Sequence, residues 1–257
     1  MSADTGTALP PPAGFAFGRE LLLALTRVGR RPRLFGWREV LEQFDQTGPR
    51  ALPIVVLACA LVGLMLGYMG GAQLARIGGQ LYVADVVTVG MVRELAGLMT
   101  GVILAGRVSS TYAAHLASMT ANEEVDALRV MGIDPVGHLV LPRLLGLLMA
   151  FPLLMGFGAV AGVAAGWAPA VLSYGATTAE YLQHCRDSLT WTHLWIGSFK
   201  GLLYAVVLGL AGCRAGLLAG RSAEAVGRAA TRAVVSALVL IVAVACLTTI
   251  FFTLLGY

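Results

Sequence analysis

A chain of 257 residues that is 58% hydrophobic and 12% charged, with a formal net charge of +4, lacks the polar surface of a soluble domain, in which roughly 25% of residues are charged. A lipid bilayer is the solvent this composition fits, and no nucleic-acid partner is expected. The four cysteines, Cys59, Cys185, Cys213 and Cys246, include no CxxC pair, so neither a disulfide framework nor a zinc site is indicated.

The first residues carry prolines at 10 to 12, no basic n-region and no adjoining apolar core. They do not read as a secretory signal, and the first spanning helix is expected to direct insertion. Residues 1–14, rich in Pro, Ala and Thr, are expected to form a disordered extension. Residues 15–48 mix Leu21, Leu22, Leu25, Val28, Leu34, Phe35, Trp37, Val40, Leu41 and Phe44 with arginines. They suit an amphipathic helical segment in the cytoplasmic interface, broken at Pro32; a disordered basic tail is the alternative.

From residue 49 onward the chain reads as one membrane domain, 49–257. A span needs about 20 apolar residues, and five stretches supply them. The first is 51–70, opened by Pro49 and Pro53. The second, 86–106, carries Arg93 and Glu94 inside it. The third, about 142–168, lies in an uncharged run interrupted by Pro152 and Pro169, its tail expected to be a loop. The fourth, 194–213, contains Lys200, and the fifth is 233–257. The pairs Gly63 with Gly67 and Gly162 with Gly166 have the small-xxx-small spacing that lets membrane helices approach closely.

Orientation follows from Lys and Arg. Seven arginines precede the first span (Arg19, Arg27, Arg30, Arg31, Arg33, Arg38, Arg50). Three lie between spans two and three (Arg107, Arg129, Arg143) and four between spans four and five (Arg214, Arg221, Arg228, Arg232), against Arg76 and Arg186 on the opposite side. The N-terminus is therefore expected in the cytoplasm.

The cytoplasmic stretch TANEEVDALRVMGIDP, residues 120–135, is the most informative. Thr120 with Glu123 has the spacing of a capping box, and Glu123, Glu124 and Asp126 sit where a helix dipole favours negative charge. Val125, Leu128 and Met131 make one apolar edge; Gly132 and Pro135 supply a stop. So short a helix is marginal in water and is expected to dock, on its own bundle or on a partner.

The segment EEVDALRVMGIDP, residues 123–135, resembles the hallmark loop of the MlaE permease family, the membrane subunit of ABC-type lipid transporters that work with MCE-domain proteins. LPIVVLACALVGLMLG at 52–67, LYVADVV at 81–87, VRELAGLMTGVILAGRVSS at 92–110, LVLPRLLGLLMAFPLL at 139–154 and VGRAATRAVV at 226–235 look like family blocks in family order. The resemblance implies an all-α integral membrane fold: five transmembrane helices preceded by an amphipathic interfacial helix, with a short cytoplasmic coupling helix at 120–132. It further implies a homodimer in the bacterial inner membrane and an ABC ATPase partner that binds the ATP and Mg, this chain itself needing no cofactor. An MCE-domain protein and a STAS-domain accessory protein are the other implied partners. Glu123, Glu124, Asp126, Leu128 and Met131 become the candidate ATPase contacts, with Gly132 and Pro135 setting the turn.

Arg93 and Glu94 form a second constellation. A central charge costs roughly 2.5–3.5 kcal/mol on insertion scales, so both are expected to face the interior or a wet cavity. Adjacent residues diverge by about 100° on a helix, so they need not pair with each other. Two readings stay open: an interhelical polar clamp, or an anionic-headgroup site in which Arg93 meets phosphate. Lys200 is expected to snorkel to the interface, with a network to Arg93 and Glu94 as the alternative. His115, His138, His184 and His193 show no metal-ligand spacing and read as solvated or interfacial. No GxSxG elbow and no GxxxxGK[ST] loop is visible. Where relatives often have an aspartate in the last span, counting from TRAVV at 231–235 gives Ala245.

The function expected is that of a permease subunit moving phospholipid or a related lipid between inner membrane and outer envelope, with no catalytic residue in this chain. A stand-alone secondary transporter using Arg93 and Glu94 and a membrane-embedded lipid enzyme are the alternatives.

Overall fold

The computed structural model describes residues 37–256, and its helices follow from the apolar runs and their punctuation. Helix α1, Trp37–Thr47, buries Val40 and Thr47. Five helices long and apolar enough to cross a membrane follow: α2 Leu52–Ala75, α3 Gln80–Ala121, α5 Val136–Leu172, α7 Trp191–Leu217 and α8 Ala223–Leu254. Between them lie α4, Glu124–Val130, and α6, Thr178–Ser188. Because successive spans alternate in direction, α1, α4 and the turn at 218–222 gather at one end. The turn at 76–79, α6 and the C-terminus lie at the other. The chain is a multi-pass, all-α membrane protein. Residues 1–36, and with them the expected extension 1–14 and most of the segment 15–48, lie outside the described residues.

The spans are longer than the apolar runs that announce them. At 1.5 Å per residue, the 42 residues of α3 extend about 63 Å, twice a hydrocarbon core of roughly 30 Å. The expected span 86–106 is only its middle. Helix α5 likewise continues past 168, through Pro152 and Pro169 to Leu172, where a loop was expected. A proline removes one backbone bond, but a break inside lipid would strand several polar groups, and the continuous helix is the lesser cost. Helix α8 begins at the side-chain cap of Ser222, whose Oγ accepts from the Ala225 amide at 3.2 Å.

Small residues set the packing. Helices α2 and α5 lie so close that a Cβ on Gly63 would stand 2.0 Å from the carbonyl oxygen of Gly162, and one on Gly67 would stand 2.5 Å from Pro169. Without Cβ atoms at these positions the backbones gain dispersion contact that lipid tails cannot supply. Gly146 of α5 gives room to α1 in the same way, beside Gln43 and Phe44. Spans α3, α7 and α8 pack on one another and complete the bundle.

Candidate functional site

The first candidate site forms where α7 meets α3. A Cβ on Gly197 would stand 2.3 Å from the carbonyl oxygen of Val92, and that close approach brings the next turn of α7 against Met91–Leu95, a π-helical turn within α3. Single π turns widen a helix locally and often mark functional positions. Here the turn carries Arg93 and Glu94, whose Nε and Oε1 stand 3.7 Å apart. Lys200 Nζ donates to Glu94 Oε1 and, at 2.9 Å, to Thr249 Oγ1 of α8. Thr249 Oγ1 also lies 3.3 Å from Glu94 Oε2 and 2.8 Å from the Ala245 carbonyl.

Lys200 is 1% exposed. The expectation that it snorkels is therefore overturned: with a carboxylate and a hydroxyl in reach, burial of its ammonium is compensated where it stands, and the network of Lys200, Arg93 and Glu94 is the arrangement present. Thr249, one turn beyond Ala245, supplies the polar contact from the last span. Among the described residues, Arg93 and Lys200 both face the Glu94 carboxylate. The Tyr204 ring of α7 packs edge-on against Phe151 of α5 at 6.5 Å, closing the core beside it.

The second candidate site is α4. Glu123 occupies its N-cap with φ 62° and no side-chain cap bond, and it is the single non-glycine residue with positive φ among the described residues. The expected capping box with Thr120 does not form. The α3 helix runs on to Ala121, so Thr120 Oγ1 donates back to the Leu116 carbonyl at 2.8 Å, and α4 is correspondingly shorter than 120–132. Its end is a Schellman turn: the Ile133 amide reaches the Leu128 carbonyl at 2.9 Å, the Gly132 amide reaches Arg129 at 3.0 Å, and Gly132 takes φ +75°. Pro135 then leads into α5.

Arg221, from the turn between α7 and α8, ties this helix to the bundle. It donates to Glu123 Oε1 at 3.0 Å and to Asp126 Oδ2 at 2.8 Å, while Arg129 also reaches Asp126 at 3.0 Å. Val125 is buried and Leu128 half-buried. Met131, expected on the same apolar edge, is instead 64% exposed, beside Val130 at 89%. Glu124 is exposed, with Asn122 Nδ2 on its Oε1 at 3.3 Å.

Two polar groupings were not anticipated. Arg143, read as a loop cation, is a buried residue of α5. It donates to the Leu139 carbonyl at 2.7 Å and to His115 Nδ1 at 3.1 Å, with its guanidinium 6.0 Å from the centre of the Tyr112 ring. At the far end, α6 begins with a capping box in which Thr177 and Glu180 exchange bonds. Bonds from the backbone amide and hydroxyl of Thr177 hold the Glu180 carboxyl below the usual carboxylate range. His184 of α6, read as solvated or interfacial, is half-buried with Nδ1 3.3 Å from Asp85 of α3. The pattern Thr177-x-x-Glu180 was the sequence signal for α6; nothing local marked Arg143, Arg221 or Thr249.

Five spans, a cluster of charges where three of them meet, and a tethered helix on one connecting loop define a transporter-type membrane protein. The sequence model of the permease MlaE family matches residues 40–251. A probable ABC transporter permease protein of Synechocystis sp. is 30% identical over 79% of this chain and 78% of its own length. One from Rickettsia typhi shows the same identity and coverage. The chloroplastic protein Trigalactosyldiacylglycerol 1 of Arabidopsis thaliana is 28% identical over 79% of this chain and 58% of its own length. The chain belongs to the MlaE permease family of ABC transporter permeases.

Proposed function

We propose that this chain is the membrane subunit of an ATP-driven transporter that moves phospholipid or a related lipid between a bacterial inner membrane and the outer envelope. The observation that carries the reading is the tethered helix α4, which presents Glu124, Val130 and Met131 outward at the tip of the loop. An apolar tip rimmed by carboxylates suits the groove of a second protein, and in this reading that protein is an ABC ATPase holding ATP and Mg. An MCE-domain protein receives or delivers the lipid, and a STAS-domain protein is an accessory. Two copies of the chain pair, with α1 and α4 on the cytoplasmic side. The name of the Arabidopsis relative, which refers to a galactolipid, supports lipid as the substrate class.

The mechanism proceeds by displacement of packed helices. Closure of the ATPase pushes α4, and Arg221 carries the movement to the start of α8 while the chain itself carries it to α3. Those are the two spans that bring Thr249 and Glu94 to Lys200, so the push bears on the cluster that faces an anionic headgroup.

The test is purification from native membranes in mild detergent or nanodiscs, with mass spectrometry of copurifying proteins and lipids. Recovery of an ABC ATPase and an MCE-domain protein with phospholipid supports the proposal. A chain isolated under verified complex-preserving conditions supports the stand-alone transporter. Glu124→Lys with Asp126→Lys is expected to uncouple lipid-stimulated ATP hydrolysis while the spans stay folded; survival of that activity would overturn the role of α4.

A further inference from the structure

A groove of about 640 Å³ runs down the outside of the bundle at the end opposite α4, within the roughly 300–1,000 Å³ of small-ligand sites. One face of α5 forms its floor: Pro152, Met155, Gly156, Ala159, Val160, Val163, Ala164 and Trp167 recur at three- and four-residue spacing. At 1.5 Å per residue the stretch from Pro152 to Trp167 is about 22 Å long, so the groove is a trough the length of an extended hydrocarbon chain. Gly156 deepens it, since a Cβ there would meet nothing within 4 Å. Val92 and Ser198 line it from α3 and α7, and Leu182 and Leu189 line it from α6 and the residue that follows it.

Its polarity is one-sided. Arg186 of α6 is its one charged lining residue and has no carboxylate within ion-pair distance among the described residues. Glu180 is held by Thr177 and Asp85 by His184, and Asp187 does not line the groove. Trp167 marks the same end, donating from Nε1 to Thr178 Oγ1 at 3.1 Å, the disposition of an indole at a membrane interface. Helix α6 is fastened over this end by Tyr181 Oη, which donates to the Val163 carbonyl at 2.7 Å. The groove's wall is therefore a built element of the fold.

We propose that this groove binds one phospholipid from the leaflet opposite α4, with an acyl chain along α5 and the phosphate on Arg186. An apolar trough with a single guanidinium at its interfacial end matches the shape and charge of that molecule. The site is separate from the Glu94 cluster and shares with the transport reading only the class of ligand.

The full chain, purified with whatever partners it retains, is placed in phosphatidylethanolamine nanodiscs containing a minor fraction of phosphatidylglycerol with a diazirine in one acyl chain. It is irradiated without nucleotide, and the labelled peptides are mapped. Labelling is expected to concentrate on residues 152–167 and 182–189, and to fall several-fold in Gly156→Trp. Arg186→Gln is expected to lower labelling by the phosphatidylglycerol probe several-fold while leaving that by a diacylglycerol probe, which lacks the phosphate, little changed. Labelling spread equally over exposed α8 residues such as Val239 and Leu247 would mean an annular lipid only and overturn the site, as would absence of label from α5. Because no ATP turnover is read, either result leaves the ATPase-coupled reading to its own test.

Discussion

Lys200, sealed inside α7, donates its ammonium to the carboxylate of Glu94 on the π-helical turn of α3. Lys200 is tolerable in the spans because Glu94 is there, while Glu94 has Arg93 at 3.7 Å as a second partner. Removing one partner of a buried pair costs roughly 3–5 kcal/mol, whereas replacing both is often near neutral. Lys200→Met is therefore expected to lower stability by about 3 kcal/mol, the low end applying because Glu94 is 32% exposed. Lys200→Met with Glu94→Gln should recover most of that loss. Thermal unfolding of the four proteins in one detergent measures the coupling, and additive single effects would contradict the pairing.

The α2–α5 contact makes a sharper steric prediction. Gly63→Ala forces a methyl into the Gly162 backbone, and overpacking of this kind costs typically 1–3 kcal/mol. Gly156→Ala meets open space and should gain up to about 1 kcal/mol of helix propensity. Opposite signs in thermal melts of the two variants are the expected outcome; equal destabilisation would show that glycine is needed for reasons other than helix approach.

These contrasts mark what was readable in the chain. Span number was legible because it depends on local runs of apolar residues; the glycine spacings at 63, 67, 162 and 166 suggested close helix approach in general, but not that α2 and α5 are the two helices they bring together. Span ends were not legible, since whether a helix runs through Pro169 or beyond residue 106 depends on the cost of breaking it in its surroundings. The partners of Lys200 lie 106 and 49 positions away, and no periodicity in α7 distinguishes a lysine that meets a carboxylate from one that reaches the interface. Thr120 failed as a cap for a related reason: its hydroxyl satisfies a carbonyl of its own helix equally well.

The α6 capping box carries a pH dependence. The Glu180 carboxyl is held below its ordinary value by Thr177, so its contribution is fully present above the unfolded carboxylate pKa. It is lost as pH falls through the lowered folded value. Amide exchange of Thr177, Glu180 and Tyr181, corrected for intrinsic rates, should stay protected through mildly acidic conditions and rise only below the usual carboxylate range. In Thr177→Ala, which forfeits about 1 kcal/mol of capping, protection should already be lower at neutral pH and respond less to acid.

The tether of α4 separates stability from coupling. Arg221 is 57% exposed where it meets Glu123 and Asp126, and exposed pairs are worth about 0.2–1 kcal/mol each, too little to unfold five packed spans. Arg221→Ala should therefore melt almost like the parent, while exchange in residues 122–131 rises and high salt reproduces the effect in the parent. Glu123 adds a backbone term, because its left-handed conformation costs about 1–2 kcal/mol for a residue with a Cβ. Glu123→Gly removes that cost together with one contact to Arg221, so its melting temperature should match or exceed the parent's. Both variants are expected to leave lipid-stimulated ATP hydrolysis by the assembled transporter reduced. If Arg221→Ala loosened α4 and hydrolysis stayed fully coupled, the push would have to travel through Val125 and the end of α3 alone.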